Sequence, residues 1–214
     1  MSLEVSQLPL GPIETNCYIA RLEGSSEALV VDPSGDAHVI EDRLNELGAR
    51  CVAILITHGH WDHLGAVAPL AESTGAPVHM AADERQLLEE VSSFSPSEVE
   101  IRGWTPDVLL AGDERLELAG LVLATVRVPG HSPAHLAYAT ENVVFSGDVL
   151  FAGSVGRTDL PGADWPTLLD SIRLLVERLP PDTVVYSGHG PPTTIGGELA
   201  TNPFLNELRA TQEL

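Results

Sequence analysis

Apolar residues recur along this chain in two rhythms. Short runs rich in Val, Ile and Leu sit between turn residues, and longer stretches carry apolar positions at helical spacing. Residues 3–33 read as strands parted by turn signals at Gly11-Pro12, Gly24-Ser25 and Asp32-Pro33. Residues 36–47 place Val39, Ile40, Leu44 and Leu47 on one helical face. Cys51 to Ile56 is continuously apolar and reads as a strand buried on both faces. The pattern from Leu64 to about Thr74 predicts a helix closed by Gly75, and residues 83–91 predict another. Strands return between about 108 and 147. A helix over Pro166–Leu179 carries Leu168, Ile172, Leu175, Val176 and Leu179 on one face, with Asp164 as its N-cap. Residues 92–106 are polar, contain Pro, and read as a surface loop whose Phe94 and Trp104 either line an entrance or pack on the body. Strands then helix, twice over, suits two packed sheets with outer helices, or an ordinary α/β layer fold.

Chemistry enters where the strands stop. The Cys51–Ile56 run is followed by Thr57-His58-Gly59-His60-Trp61-Asp62-His63. Residues two apart on an extended loop point the same way, so His58 and His60 aim together, and Gly59 removes a side chain that would crowd an ion. Three imidazoles and a carboxylate are too many donors for one metal with an open position, and they suit half of a two-metal site. Three further strands end the same way. Leu121–Val128 is stopped by Pro129-Gly130 before His131, Asn142–Gly147 ends in Asp148, and Thr183–Gly188 ends in His189. His131 alone is as readily structural as ligating; the repetition of strand, glycine and ligand makes the joint case. His38, His79 and His135 read as surface or hydrogen-bonding residues.

His58-x-His60-x-Asp62-His63, with His131, Asp148 and His189, resembles the metallo-β-lactamase superfamily. Ser146-Gly147-Asp148-Val149-Leu150-Phe151 and Gly156–Gly162 make the chain look most like its short glyoxalase II-type (hydroxyacylglutathione hydrolase-like) branch. The resemblance implies an α/β fold of αββα type, two mixed sheets with helices on the outer faces. It implies one domain over 1–214, without a full C-terminal glutathione-binding helical domain. It also implies two divalent metal ions per chain, zinc first, with iron or manganese as alternatives. His58, His60 and His131 would hold one ion, and Asp62, His63 and His189 the other. Asp148 would bridge them, and Asp62 and Asp148 would act in catalysis by orienting a hydroxide between the ions. Zinc β-lactamases of the best-known kind carry cysteine where Asp148 stands, so drug hydrolysis is not the expected activity.

The implied activity is thioester hydrolysis, on S-acyl-glutathione or related thioesters. Full-length glyoxalase II enzymes carry a Lys nine residues after the bridging Asp, and tyrosines two residues beyond that Lys and two beyond the last His ligand. Those positions are Arg157, Asp159 and Pro191, so Arg157 is the candidate substrate-binding residue and most of the glutathione clamp is missing. A persulfide dioxygenase-like mononuclear iron oxidoreductase, a lactonase and a non-catalytic metal-binding protein remain as alternatives.

Composition narrows the partners. The 214 residues suit one domain with a substantial core. Asp and Glu number 31 against 11 basic residues, all Arg, for a net charge of −20. That charge disfavours nucleic acid as a partner. There is no apolar run long enough for a membrane span, and Met1-Ser2-Leu3-Glu4 has no signal-peptide pattern. Cys17 and Cys51 read as buried thiols of a reducing compartment. A cytoplasmic enzyme acting on a small-molecule thioester is the expectation.

Overall fold

The structure, a computed structural model, describes residues 2–212. Met1 and Glu213–Leu214, the chain ends named above, lie outside the described residues. One sheet runs β1 (Leu3–Leu10), β2 (Thr15–Leu22), β3 (Glu27–Val31), β4 (Arg50–Leu55), β5 (Val78–Ala81) and β6 (Val108–Leu110) in spatial order. Its first three strands are antiparallel, and β3 through β6 are parallel. The second sheet is ordered β7 (Arg115–Leu118), β8 (Leu121–Arg127), β9 (Leu136–Thr140), β10 (Val143–Gly147), β13 (Val184–Ser187) and β14 (Thr193–Thr194). A two-stranded hairpin of β11 (Leu150–Phe151) and β12 (Ser154–Val155) lies between β10 and β13 in sequence. In the second sheet only β10 and β13 pair in parallel, so both sheets are mixed.

Three apolar layers hold this arrangement. Leu29, Val31, Ala53 and Leu55 of one sheet meet Leu121, Leu123, Leu136, Tyr138 and Phe145 of the other in the central layer. The opposite face of the first sheet, through Ile19, Val30 and Ile54, packs on α1 (Ala37–Glu46), α3 (Val67–Thr74) and α4 (Arg85–Glu89). The outer face of the second, through Val126, Val144 and Val185, packs on α5 (Trp165–Arg178), α6 (Ile195–Thr201) and α7 (Asn206–Gln212). This is the αββα sandwich. Strand alternation sends each strand's side chains to two apolar layers, which is why these strands read as unbroken apolar runs. Asp164 caps α5 as expected, accepting the Thr167 amide at 2.9 Å. No helix among the described residues is long and apolar enough to cross a membrane.

The helix expected from Leu64 to Thr74 is two pieces, α2 (Trp61–Leu64) and α3. The break lies at Gly65–Ala66. The Ala66 amide donates to Pro33 O at 2.8 Å, and a Cβ on Gly65 would stand 2.2 Å from Ser34 O. The tertiary contact with the loop after β3 overrides local helix propensity. Residues 83–91 likewise form α4 flanked by two short 3₁₀ turns.

Two tyrosines stitch the sheets across their interface. Tyr18 on β2 donates to Ser187 O at 2.6 Å, and Tyr138 on β9 donates to Ile56 O at 2.8 Å. Burial raises both phenols far from ionisation. Ser187 O also accepts the Asn16 amide at 2.9 Å, so it keeps a partner when Tyr18 is changed. Tyr138→Phe should therefore cost about 1–3 kcal/mol and Tyr18→Phe about 1 kcal/mol. Urea unfolding midpoints check this, and a Tyr18→Phe loss larger than that of Tyr138→Phe would contradict it.

Candidate metal centre

The C-terminal ends of six strands meet at one edge of the sandwich. Asp32 follows β3, the Thr57–His63 loop follows β4, and Glu84 follows β5; His131 lies beyond β8, Asp148 beyond β10 and His189 beyond β13. All seven metal-ligand candidates from the sequence come together here. His58, His60 and His131 form one donor group, and Asp62, His63 and His189 another; the ligating atoms of each group lie within 4.8 Å of one another. Asp148 lies between them. Its Oδ1 is 3.4 Å from His63 Nε2, and its Oδ2 is 3.5 Å from His131 Nε2 and 3.6 Å from His189 Nε2.

The donor chemistry fits cations. His60 Nδ1 is 2.9 Å from both His58 Nε2 and His131 Nε2, three lone-pair-bearing atoms facing one point. His63 Nε2 and Asp148 Oδ1 are buried without a hydrogen-bond partner, an arrangement that is costly unless an ion completes it.

Oxygens behind the ligands fix which nitrogen points inward. His63 Nδ1 faces Asp32 Oδ2 at 2.9 Å, His131 Nδ1 faces Arg157 O at 2.9 Å, and His58 Nδ1 faces Thr57 Oγ1 at 3.0 Å. Each outer nitrogen carries the proton by the logic of its partner, which leaves Nε2 free in all three. Asp32 binds this layer together, accepting the Thr57 amide at 2.8 Å and its hydroxyl at 2.7 Å. Thr15 donates to Asp62 Oδ2 at 2.8 Å. Buried His135 stacks on His58 with ring centroids 4.6 Å apart and accepts the Asp148 amide at 3.1 Å, a hydrogen-bonding role as the sequence reading expected. Gly188 permits a close approach: a Cβ there would stand 2.0 Å from Asp148 Oδ1.

Asp32 and Glu84 went unread in the sequence. Asp32 had a signal, since it ends the apolar strand Ala28–Val31 as the other ligands end theirs. Glu84 had none. It is buried, and it accepts the Gly59 amide at 2.6 Å, the Ser132 hydroxyl at 2.6 Å and the Ala134 amide at 2.8 Å. One carboxylate thus ties the loop bearing His58 and His60 to the loop bearing His131. A Cβ at Gly59 would strike the Leu87 side chain of α4 at 2.6 Å, so the glycine is needed for packing on that helix.

Beside the ligands lies a cleft of about 570 Å³, within the range of small-molecule sites. Arg157 is on its wall, as are Ile13, Trp61, Leu87, Phe94 and Leu160. Of the two loop aromatics, half-exposed Phe94 lines the cleft, whereas Trp104 packs against the core under the first sheet.

Protonation differs across the ligands of the ion-free protein. Burial, with neighbouring imidazoles, holds His58 well below the ordinary value and His60 at about 4. Burial also disfavours charge on His63, but Asp62, Asp148 and Asp32 outweigh it and raise that imidazole well above its ordinary value. Asp148 stays ionised against its burial, held at about 2 chiefly by His63. A raised histidine stabilises the folded ion-free protein below its ordinary value of about 6.5, and loses that contribution as pH rises through the raised value. Ligation needs neutral His63, so loading the ion-free protein at pH 7 should release about one proton from this residue. Calorimetry in buffers of different ionisation enthalpy reads it. The release should fade as pH rises through the raised value of His63; heats independent of buffer at pH 7 would contradict the assignment.

Glu84→Gln puts an amide NH₂ against one of three donors. Affinity for a divalent ion at the His58–His60–His131 group should fall about 10- to 100-fold, with the folded far-UV spectrum retained. An unchanged affinity in a chelator-competition titration would leave Glu84 a fold residue only.

The family model of the metallo-β-lactamase superfamily matches residues 10–189. The probable metallo-hydrolase YqgX of Bacillus subtilis is 40% identical over 205 residues, 94% of this chain and 96% of its own. The hydroxyacylglutathione hydrolase GloC of Haemophilus influenzae is 34% identical over 214 residues, 96% of this chain and 99% of its own. Among solved structures, the B3 metallo-β-lactamase BLEG-1 is similar with a TM-score of 0.89 at 41% identity, over 95% of this chain and 100% of that one. TTHA1623, solved in a di-iron-bound form, is similar with a TM-score of 0.82 at 38% identity, over 94% of this chain and 100% of that one. A match of that extent, on a sandwich whose two sheets meet at paired His and Asp donors, shows that the chain belongs to the metallo-β-lactamase superfamily.

Proposed function

We propose that the protein is a binuclear metal-dependent hydrolase of thioesters, related in its chemistry to hydroxyacylglutathione hydrolases. The observation that carries this reading is the position of Asp148, one carboxylate facing both donor groups. His58, His60 and His131 would hold one divalent ion, Asp62, His63 and His189 a second, and Asp148 both. Zinc is the first expectation, with iron or manganese accepted by the same donors; TTHA1623 was solved with two irons. Such ions, when bound, lower the pKa of a coordinated water to about 7 and polarise a carbonyl oxygen.

The chain's own residues do the rest. Asp62 and Asp148, both held ionised, accept hydrogen bonds from the attacking water and orient it; Thr15 fixes the carboxylate of Asp62. The cleft wall offers no Lys or Tyr among the described residues, and the Ser132 hydroxyl is already donated to Glu84. A site with so little to protonate a leaving group suits one that departs as an anion. Thiols, with pKa values of about 8.5, do so. The relation to GloC supports the same bond class.

A second reading has its own observation. BLEG-1, named a B3 metallo-β-lactamase, is 41% identical to this chain, so a β-lactam belongs in the substrate panel. Its amine leaving group needs a proton that this cleft does not visibly supply.

Asp148→Ala should strip both ions from the protein, and His189→Ala about one per chain, by elemental analysis after gel filtration. The metal-loaded protein should turn over acyl thioesters faster than a lactone or a cephalosporin. A single tightly held iron with oxygen uptake on glutathione persulfide would replace this reading with the dioxygenase one. Lactam hydrolysis exceeding thioester hydrolysis would replace it with the second.

A further inference from the structure

The cleft beside the ligands is mostly apolar, and its one cation is already paired. Arg157 is the only Arg among the described residues on the wall, and the chain has no Lys. Its guanidinium donates twice to Asp159, Nε to Oδ1 at 2.6 Å and Nη2 to Oδ2 at 2.7 Å. This is the bidentate geometry that a substrate carboxylate would need to take for itself. The pair is solvent-exposed, so it is weak in absolute terms, but a competing carboxylate must displace a local one held two residues away. On the same wall, half-exposed Ile13 and Phe94, with Trp61, Leu87 and Leu160, supply apolar surface from five separate segments of the chain. Exposed Ile and Phe on a wall of this kind are free surface that a ligand's hydrocarbon covers.

We infer that the cleft takes a neutral thioester with an apolar acyl chain, and that Asp159 disfavours thiol portions carrying carboxylates by occupying Arg157. The inference rests on the thioesterase reading and narrows it. Asp159 is a specificity-determining residue acting through Arg157, and it touches no reacting atom.

Binding and turnover are measured separately on the metal-loaded protein. Unreactive S-alkyl thioethers of N-acetylcysteamine and of glutathione are titrated by calorimetry, and the matching acyl thioesters are assayed. In the N-acetylcysteamine series, affinity and kcat/KM should rise about 3- to 4-fold per added methylene until the wall is covered. Phe94→Ala should flatten that slope. At equal chain length the glutathione ligands should bind more weakly than the neutral ones in wild type. Asp159→Asn should improve the glutathione ligands about 10-fold relative to the neutral ones, through Kd and KM with little change in kcat, and Arg157→Ala added to it should erase the gain. A flat chain-length series, or wild-type preference for the glutathione ligands that Asp159→Asn leaves unmoved, overturns the inference. If the thioether ladder holds while no thioester is hydrolysed, the thioesterase reading fails and the apolar character of the cleft stands.

Discussion

The structure is organised around lone pairs that must face one another. His58, His60 and His131 aim three nitrogens at one point, and His63 Nε2 and Asp148 Oδ1 are buried 3.4 Å apart without a hydrogen-bond partner. No flexible loop would hold such a set, because each member relaxes away from the others. What holds it is oxygen behind three of the histidines, His58, His63 and His131. Asp32 stands behind His63 and, through Thr57, behind His58; the Arg157 carbonyl stands behind His131. Asp32 and Thr57 are in turn fixed at the ends of the buried strands β3 and β4, so the sandwich acts as a frame for the donor groups.

The candidate ligands that the structure brings together share one grammar in the sequence, an apolar strand run followed by a donor. Asp32 obeys the same grammar, and it reads equally well as the start of an Asp-Pro turn. Glu84 obeys none: it sits in a 3₁₀ turn after β5 and becomes functional only when two loops 48 and 25 residues away fold against it. The same limit explains the broken helix at Gly65. Periodicity carries no information about the Ser34 carbonyl that pushes on it from another part of the chain. Local patterns report what a segment prefers, and the departures lie where distant segments press on the metal loop.

Relatives similar to this chain over nearly its whole length carry different names, a metallo-hydrolase, a hydroxyacylglutathione hydrolase and a B3 metallo-β-lactamase. Under the proposed reading the donors would supply a nucleophile without choosing a substrate. Choice lies in the loops that wall the cleft, with Ile13 before β2, Trp61 and Leu87 near the ligands, Phe94 on the 92–106 loop and Leu160 after β12. Ile13 and Phe94 are half-exposed and carry little of the core, so they can vary without disturbing the frame. Arg157 shows the two levels meeting. Its carbonyl orients a ligand histidine, while its side chain faces the cleft wall and pairs with Asp159.

That division has an energetic side. Asp62, Asp148 and Asp32 crowd His63 so strongly that it carries a proton in the ion-free protein, while His58 and His60 stay neutral nearby. The proton on His63 is a partial substitute for a cation. It offsets the carboxylates, yet it leaves Nε2 without a hydrogen bond, and it does nothing for the three nitrogens around His60. A divalent ion in each donor group answers both problems at once, and any ion bound only to the folded chain adds its binding free energy to stability. The conformation that holds the ions is therefore one the chain reaches at some cost without them. The apolar layers on both sides of each sheet supply the surplus that allows the edge to remain poised for metal.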